Sequence, residues 1–482
     1  MCRYTFILIL VLSNFTASFC ALGQTLQLPE IGDPAGQYLS SNEEHRLGAA
    51  VVQRIREQNL VIDDVQLSEY LASVGQSIAA YAQNQGSPFT FFWVNDSSIN
   101  AFAAPGGFIG INAGLILATQ SEAELAGVVA HEVAHVTQRH IARGFADQQR
   151  LGIPFAAAML ASALLAATTD SQVGTAAMAG TMAATAQHTI NFTRANEQEA
   201  DRVGTQLLLQ SGFDPNGMAN FFARLERKAM GSAARVPEFL LTHPLPRNRA
   251  ADTLNRYGSA NQHRIRQDTL AYYLAKARLR VLTDTDHRTL IRQFKTALGK
   301  NDFENETAER YGYTLALKSA GLYDQAQQQI AALRKAYPDE LAFRIEEAEI
   351  VLAKGDEAKA WRLFETAKNL YPDDFTLAMN YGQALTTQGD PRQAMRLLQP
   401  HLQRRSQNAN LYALYAQAAQ RAGDITTTHA ALAEYYYLSG ELTQAIEQAE
   451  LGLKKSGAST YQKAQLHARL RQFREEEKVA SR

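Results

Sequence analysis

Two histidines four residues apart, with a glutamate directly after the first, stand at His131-Glu132-Val133-Ala134-His135. On an α-helix such positions share one face, so both imidazoles can reach one zinc ion while the intervening carboxylate serves as general base. The neighbours Val128, Val129, Val133 and Val136 are apolar, as a buried helix requires, and no glycine or proline interrupts Val128 to Ile141. Burying two histidines and a glutamate there with no ligand would be costly. A catalytic zinc also needs a third protein ligand and an open position. A histidine six residues beyond His135 is absent, because that position is Ile141, and His140 falls out of phase and reads as a surface residue. Farther on, Asn196-Glu197-Gln198-Glu199-Ala200-Asp201 lies in another helical run. Glu197 and Asp201 share a face there, whereas Glu199 points away. That spacing suits Glu197 as third ligand and Asp201 as acceptor for a ring N–H of His131, fixing its tautomer.

The elements that must carry these residues are legible around them. A helix is predicted over Glu122 to Arg143, and strands over Phe89 to Val94 and over Gly107 to Ile111. The glycines of Gly106 to Ile111 suit either a tight turn or a close approach of extended substrate added as a strand. A helix begins near Ser41, with Ser40 or Ser41 as N-cap and Glu43 and Glu44 in its first turn. Another is expected from Ser68 to Asn84, and residues 24 to 40 read as an extended leader.

The C-terminal third repeats itself. Gly321, Gly355, Gly389 and Gly423 follow one another at intervals of 34 residues, with Ala326, Ala360 and Ala394 each five residues after its glycine and prolines at 338 and 372. That period is the one of the tetratricopeptide repeat, a helix-turn-helix pair. Glycine opens the turn, alanine lets the helices approach, and proline ends the second helix. Gly440 and Ala445 restart the offset out of phase.

Composition narrows the function classes. The 482 residues carry 47 Lys and Arg against 48 Asp and Glu, a net charge of -1, without the basic excess of a general nucleic-acid binder. Arg3, the apolar run Phe6 to Leu12 and the small residues Ala21 and Gly23 outline a secretory signal, too short to span a bilayer, which takes about 20 residues. Cleavage after Gly23 would remove Cys2 and Cys20, the only cysteines. Any metal would then rest on histidine and carboxylate. The alanine-rich stretches Ile153 to Ala167 and Gly174 to Ala186 read as two closely packed helices.

Asn100 to Gly107, the histidine motif, Glu197 to Asp201, and Thr242-His243-Pro244 with Arg249 occur in this order, and together they resemble the HtpX-type zinc metallopeptidase family. The chain departs from HtpX itself in lacking membrane helices and is similar to the members that add a signal and C-terminal tetratricopeptide repeats. The resemblance implies one Zn2+ per chain on His131, His135 and Glu197, with Glu132 as base. It implies a periplasmic endopeptidase with chaperone-like action in outer-membrane β-barrel assembly. Misassembled barrel proteins would be its substrates, and the barrel assembly machinery would dock on the repeats. His243 would be a fourth, inhibitory ligand by the same resemblance; an oxyanion donor or a structural loop histidine are the other readings of that residue. The competing function is a repeat-based adaptor or chaperone whose zinc is structural.

The expected fold class is mainly α: an α+β peptidase domain with a small sheet, followed by an α-helical repeat solenoid. The expected divisions are a signal at 1–23, the peptidase domain at 24–265, a helical connector at 266–300 and the repeat array at 301–475.

Overall fold

A computed structural model describes residues 40–82, 88–148, 183–231, 237–243, 265–455 and 459–480. The signal, the leader up to residue 39, the stretch Ile153 to Ala167, most of Gly174 to Ala186, and Pro244 to Arg249 lie outside the described residues.

Helix α1 spans Ser41–Glu57 and opens on Ser40 with a reciprocal cap. The Ser40 side chain accepts from the Glu43 amide, and the Ser40 amide donates to the Glu43 carboxylate at 2.8 Å. Helix α2 covers Val65–Ala79, starting and ending before the predicted Ser68 to Asn84, because Asp64 rather than a serine caps it. Strands β1 (Thr90–Val94), β2 (Ala101–Ala104) and β3 (Phe108–Asn112) form one sheet in the order β1-β3-β2. β3 is central, parallel to β1 and antiparallel to β2. With both its edges paired, β3 cannot receive a substrate strand along Gly106 to Ile111; β1 and β2 are the outer strands. The turn reading holds for the glycines, since Pro105–Gly107 is a single 3-10 turn in which Gly106 has φ 74°. A Cβ on Gly106 would stand 2.3 Å from the His45 Cα of α1.

After the short α3 (Ala113–Ala118) comes α4, Glu122–Thr137, capped by Ser121. The helix does not continue to Arg143 as predicted. Arg139 adopts φ 51°, α4 ends, and a new helix α5 runs His140–Gln148. The Arg139 guanidinium donates to Glu44 of α1 at 3.0 Å. Helices α6 (Ala183–Ser211) and α7 (Asn216–Gly231) flank α4 at short range. A Cβ on Gly127 would lie 2.7 Å from the Met218 backbone, and one on Gly204 3.1 Å from the Ala130 carbonyl. Around these contacts Leu125, Val128, Val129 and Val133 pack with Leu207, Leu208, Phe221 and Phe222. The helix bearing both histidines is therefore buried along most of its length. The five-residue α8, Glu238–Thr242, follows, anchored by the Phe239 amide donating to Ile99 O.

Helices α9 (Leu270–Leu282) and α10 (His287–Lys300) lead to ten further helices among the described residues, from Glu306–Ser319 to Thr460–Ala480. Ala326, Ala360, Ala394 and Ala445 are fully buried, as close packing of helix pairs demands. Gly321, Gly355, Gly423 and Gly440 turn the chain at positive φ; Gly389 does not, because Pro391 opens the next helix there. α9 belongs to two cores: Tyr272, Ala275 and Leu279 join the peptidase core, while Leu274, Ala277 and Val281 join that of the first repeats. The solenoid also returns to touch the sheet-bearing half. Arg405 grips Glu69 of α2 through two hydrogen bonds, and Asn410 donates to Asp63. The architecture is mainly α, one three-stranded sheet with its helices and then a helical solenoid. Among the described residues no helix is long and apolar enough to cross a membrane.

Candidate metal centre

His131 and His135 project from α4, Glu197 from α6, and His243 caps α8 at its C-terminal end. One ligand atom from each lies within 4.8 Å of all the others. His131 Nε2 stands 2.9 Å from His135 Nε2, 3.3 Å from His243 Nδ1 and 3.2 Å from Glu197 Oε2. His243 Nδ1 is also 3.1 Å from Glu197 Oε1, and its ring stacks on Phe239 with centroids 4.5 Å apart. His131 and Glu197 are almost fully buried.

The other face of His131 sets its tautomer. His131 Nδ1 lies 3.1 Å from Asp201 Oδ1 and donates to it, which leaves the Nε2 lone pair directed at the cluster. Three ring nitrogens and a carboxylate then crowd one point. Lone pairs at this separation repel unless a cation lies among them, and a set of imidazole nitrogens and carboxylate oxygen without thiolate suits zinc-type chemistry.

Electrostatics agree. Burial, then the neighbouring His131, holds His135 well below its usual pKa, so its ring is a neutral donor at pH 7. Burial would raise Glu197, but its neighbours, the His243 charge first, take its pKa below the ordinary glutamate value. Glu132 is fully buried and pushed above the ordinary glutamate value, chiefly by burial. Its Oε1 has no hydrogen-bond partner, and His243 Nε2 stands 3.5 Å away. The nearby Ala103 amide of β2 opposes that rise only weakly.

The sequence-derived candidates His131, Glu132, His135, Glu197, Asp201 and His243 are all brought together, and Arg249 lies outside the described residues. His140 is a correction. It is buried, with Nδ1 2.9 Å from His135 Nδ1 and Nε2 3.2 Å from Glu199. The left-handed Arg139 swings it back toward the site, a turn that helical phase does not anticipate. Glu199 does point away from the cluster, and there it meets His140 and Arg143.

Residues 66–256 match the model of peptidase family M48. Over 450 residues the chain is 34% identical to the β-barrel assembly-enhancing protease of Escherichia coli strain K12, covering 93% of this chain and 91% of that protein. The chain belongs to the β-barrel assembly-enhancing protease family. It is a metalloendopeptidase, and the M48 family implies a metal. A putative β-barrel assembly-enhancing protease of Vibrio cholerae is 39% identical over 320 residues, 66% of each protein. Similarity reaches beyond this family to the mitochondrial metalloendopeptidase OMA1 of Arabidopsis thaliana, 29% identical over 40% of this chain and 36% of that one.

Proposed function

We propose that the chain is a periplasmic endopeptidase holding one zinc ion, acting with a chaperone-like contribution on misassembled outer-membrane β-barrel proteins. The observation that carries this reading is the convergence of four donors beside the buried carboxylate of Glu132. The substrate class rests on the name of the Escherichia coli relative, aligned along nearly the whole chain. The repeat solenoid is the surface on which the barrel assembly machinery would dock.

His131, His135 and Glu197 would hold the metal, with Asp201 orienting His131. When bound, zinc supplies Lewis-acid polarisation of the scissile carbonyl and makes a water more acidic. Glu132 would take the proton of the attacking water on its carboxylate and return it to the leaving amine. Extended substrate would add along the outer edge of β2, the strand nearest the motif helix's Glu132.

His243 would fill the fourth donor position, and a four-donor zinc site leaves no room for substrate. On this reading the site stays closed until His243 withdraws. This closure also suits the adaptor reading, in which the metal would be structural. A carboxylate buried beside the four donors, that of Glu132, favours catalysis. Incubating the purified chain with an unfolded outer-membrane barrel protein, with chelator and then added zinc, tests the proposal. Metal-dependent cleavage is expected; binding without cleavage in every metal state would support the adaptor instead.

A further inference from the structure

Asp201 is not the only residue placed behind a metal-facing histidine. His135 presents Nε2 to the cluster, and its opposite nitrogen, Nδ1, stands 2.9 Å from His140 Nδ1. Two nitrogens at that distance share one proton, so one ring donates and the other accepts. If His135 Nε2 keeps its lone pair for a metal, the single proton of the neutral ring is on Nδ1. His135 is then the donor, and His140 must accept on Nδ1. The proton of a neutral His140 is thereby on Nε2, which lies 3.2 Å from Glu199 Oε2 and donates to it. Arg143 completes the line by donating to the same oxygen at 2.7 Å. Each hydrogen bond fixes the direction of the next.

We infer that His140, backed by Glu199 and Arg143, is the positioning residue for His135, holding its tautomer and ring angle for the metal. The inference rests on the proposed ligand role of His135. The elements serve this purpose: the left-handed Arg139 breaks α4 and starts α5 at His140, and α5 carries Arg143 one turn later beside Glu199 of α6. His140 is buried against its partners, whereas Glu199 and Arg143 are partly exposed, so the line ends at the protein surface.

The test uses the full chain stripped of metal and titrated with Zn2+ against a competing chelator, and with Co2+ for its visible ligand-field bands. His140→Leu keeps the packing and removes the acceptor. It is expected to weaken zinc binding by about 10- to 100-fold and to shift the Co2+ bands. His140→Asn, which restores an acceptor and a donor, should recover most of the loss. Adding Glu199→Ala to His140→Leu should change little more, because the residues act in series. Zinc affinity and Co2+ bands unchanged in His140→Leu would overturn the inference, as would equal losses in the Leu and Asn variants. Should His140→Leu fail to fold, Glu199→Ala at its partly exposed position decides: a loss of several-fold supports the line, and parental affinity refutes it. Zinc binding lost altogether in His135→Ala and in the parent alike would instead remove the ligand assignment on which the inference stands.

Discussion

Asp201 Oδ1 lies 3.1 Å from His131 Nδ1, one helical turn beyond Glu197 on the same helix. One helix thus offers a carboxylate to the metal position and a second to the back of the histidine that shares it. Asp201→Ala is expected to leave the fold intact and weaken zinc binding by about 10- to 100-fold. Chelator competition measures it, and Asp201→Asn should lose less, because the amide oxygen still accepts.

In the proposed reading, His243 separates a closed site from an open one. Replacing it with alanine removes the fourth donor while keeping His131, His135 and Glu197. Cleavage of a folded reporter or of casein should rise in His243→Ala above the parent, with one zinc still bound. Abolished cleavage would assign His243 to oxyanion stabilisation, where losing one donor typically costs about 100- to 1000-fold.

The two halves are joined by buried charge. Arg278 of α9 donates to Asp64, the N-cap of α2, at 2.8 Å and to Tyr311 of the repeats at 2.9 Å, with Glu346 3.6 Å away. Glu346 is buried and also pairs with Lys318. Arg278→Met leaves Asp64 and Glu346 short of a cation and should destabilise the chain by about 3–5 kcal/mol, read as a lower urea midpoint.

Alkaline pH should find a weak point at Tyr70. Its hydroxyl donates to Glu122 at 3.0 Å, and burial, then that carboxylate, raises the phenol well above 10.0. In the unfolded chain the phenol ionises near pH 10, whereas the folded chain holds its proton. The folded pKa is the higher one, so this stability is complete below pH 10 and is lost as pH rises beyond it. The slope is at most about 1.4 kcal/mol per pH unit. Tyr70→Phe should be less stable than the parent at pH 8, with the gap narrowing by pH 11 in urea melts.

Much of this organisation was legible before any fold was known. The histidine pair and the acids four residues apart depend only on helical periodicity, which local sequence encodes. The 34-residue step is similarly local, since each glycine and alanine serves its own helix pair. What escaped depends on distant contacts. His140 reads as a surface residue until Arg139 turns left-handed, a conformation held by Glu44, 95 residues earlier. β3 reads as a candidate substrate edge until β1 and β2 pair on either side of it. Gly389 keeps the repeat register without needing its conformational freedom, because Pro391 starts the next helix.

In the proposed zinc-dependent hydrolysis, Glu132 moves the proton. Glu132→Gln keeps the side chain's shape and removes its basicity. With the His243→Ala change opening the site, zinc content and cleavage of an unfolded outer-membrane barrel protein are measured with and without Glu132→Gln. One zinc per chain in both proteins, with cleavage reduced by about 100-fold or more in the Gln variant, is the predicted result. Cleavage at the same rate in both would contradict it.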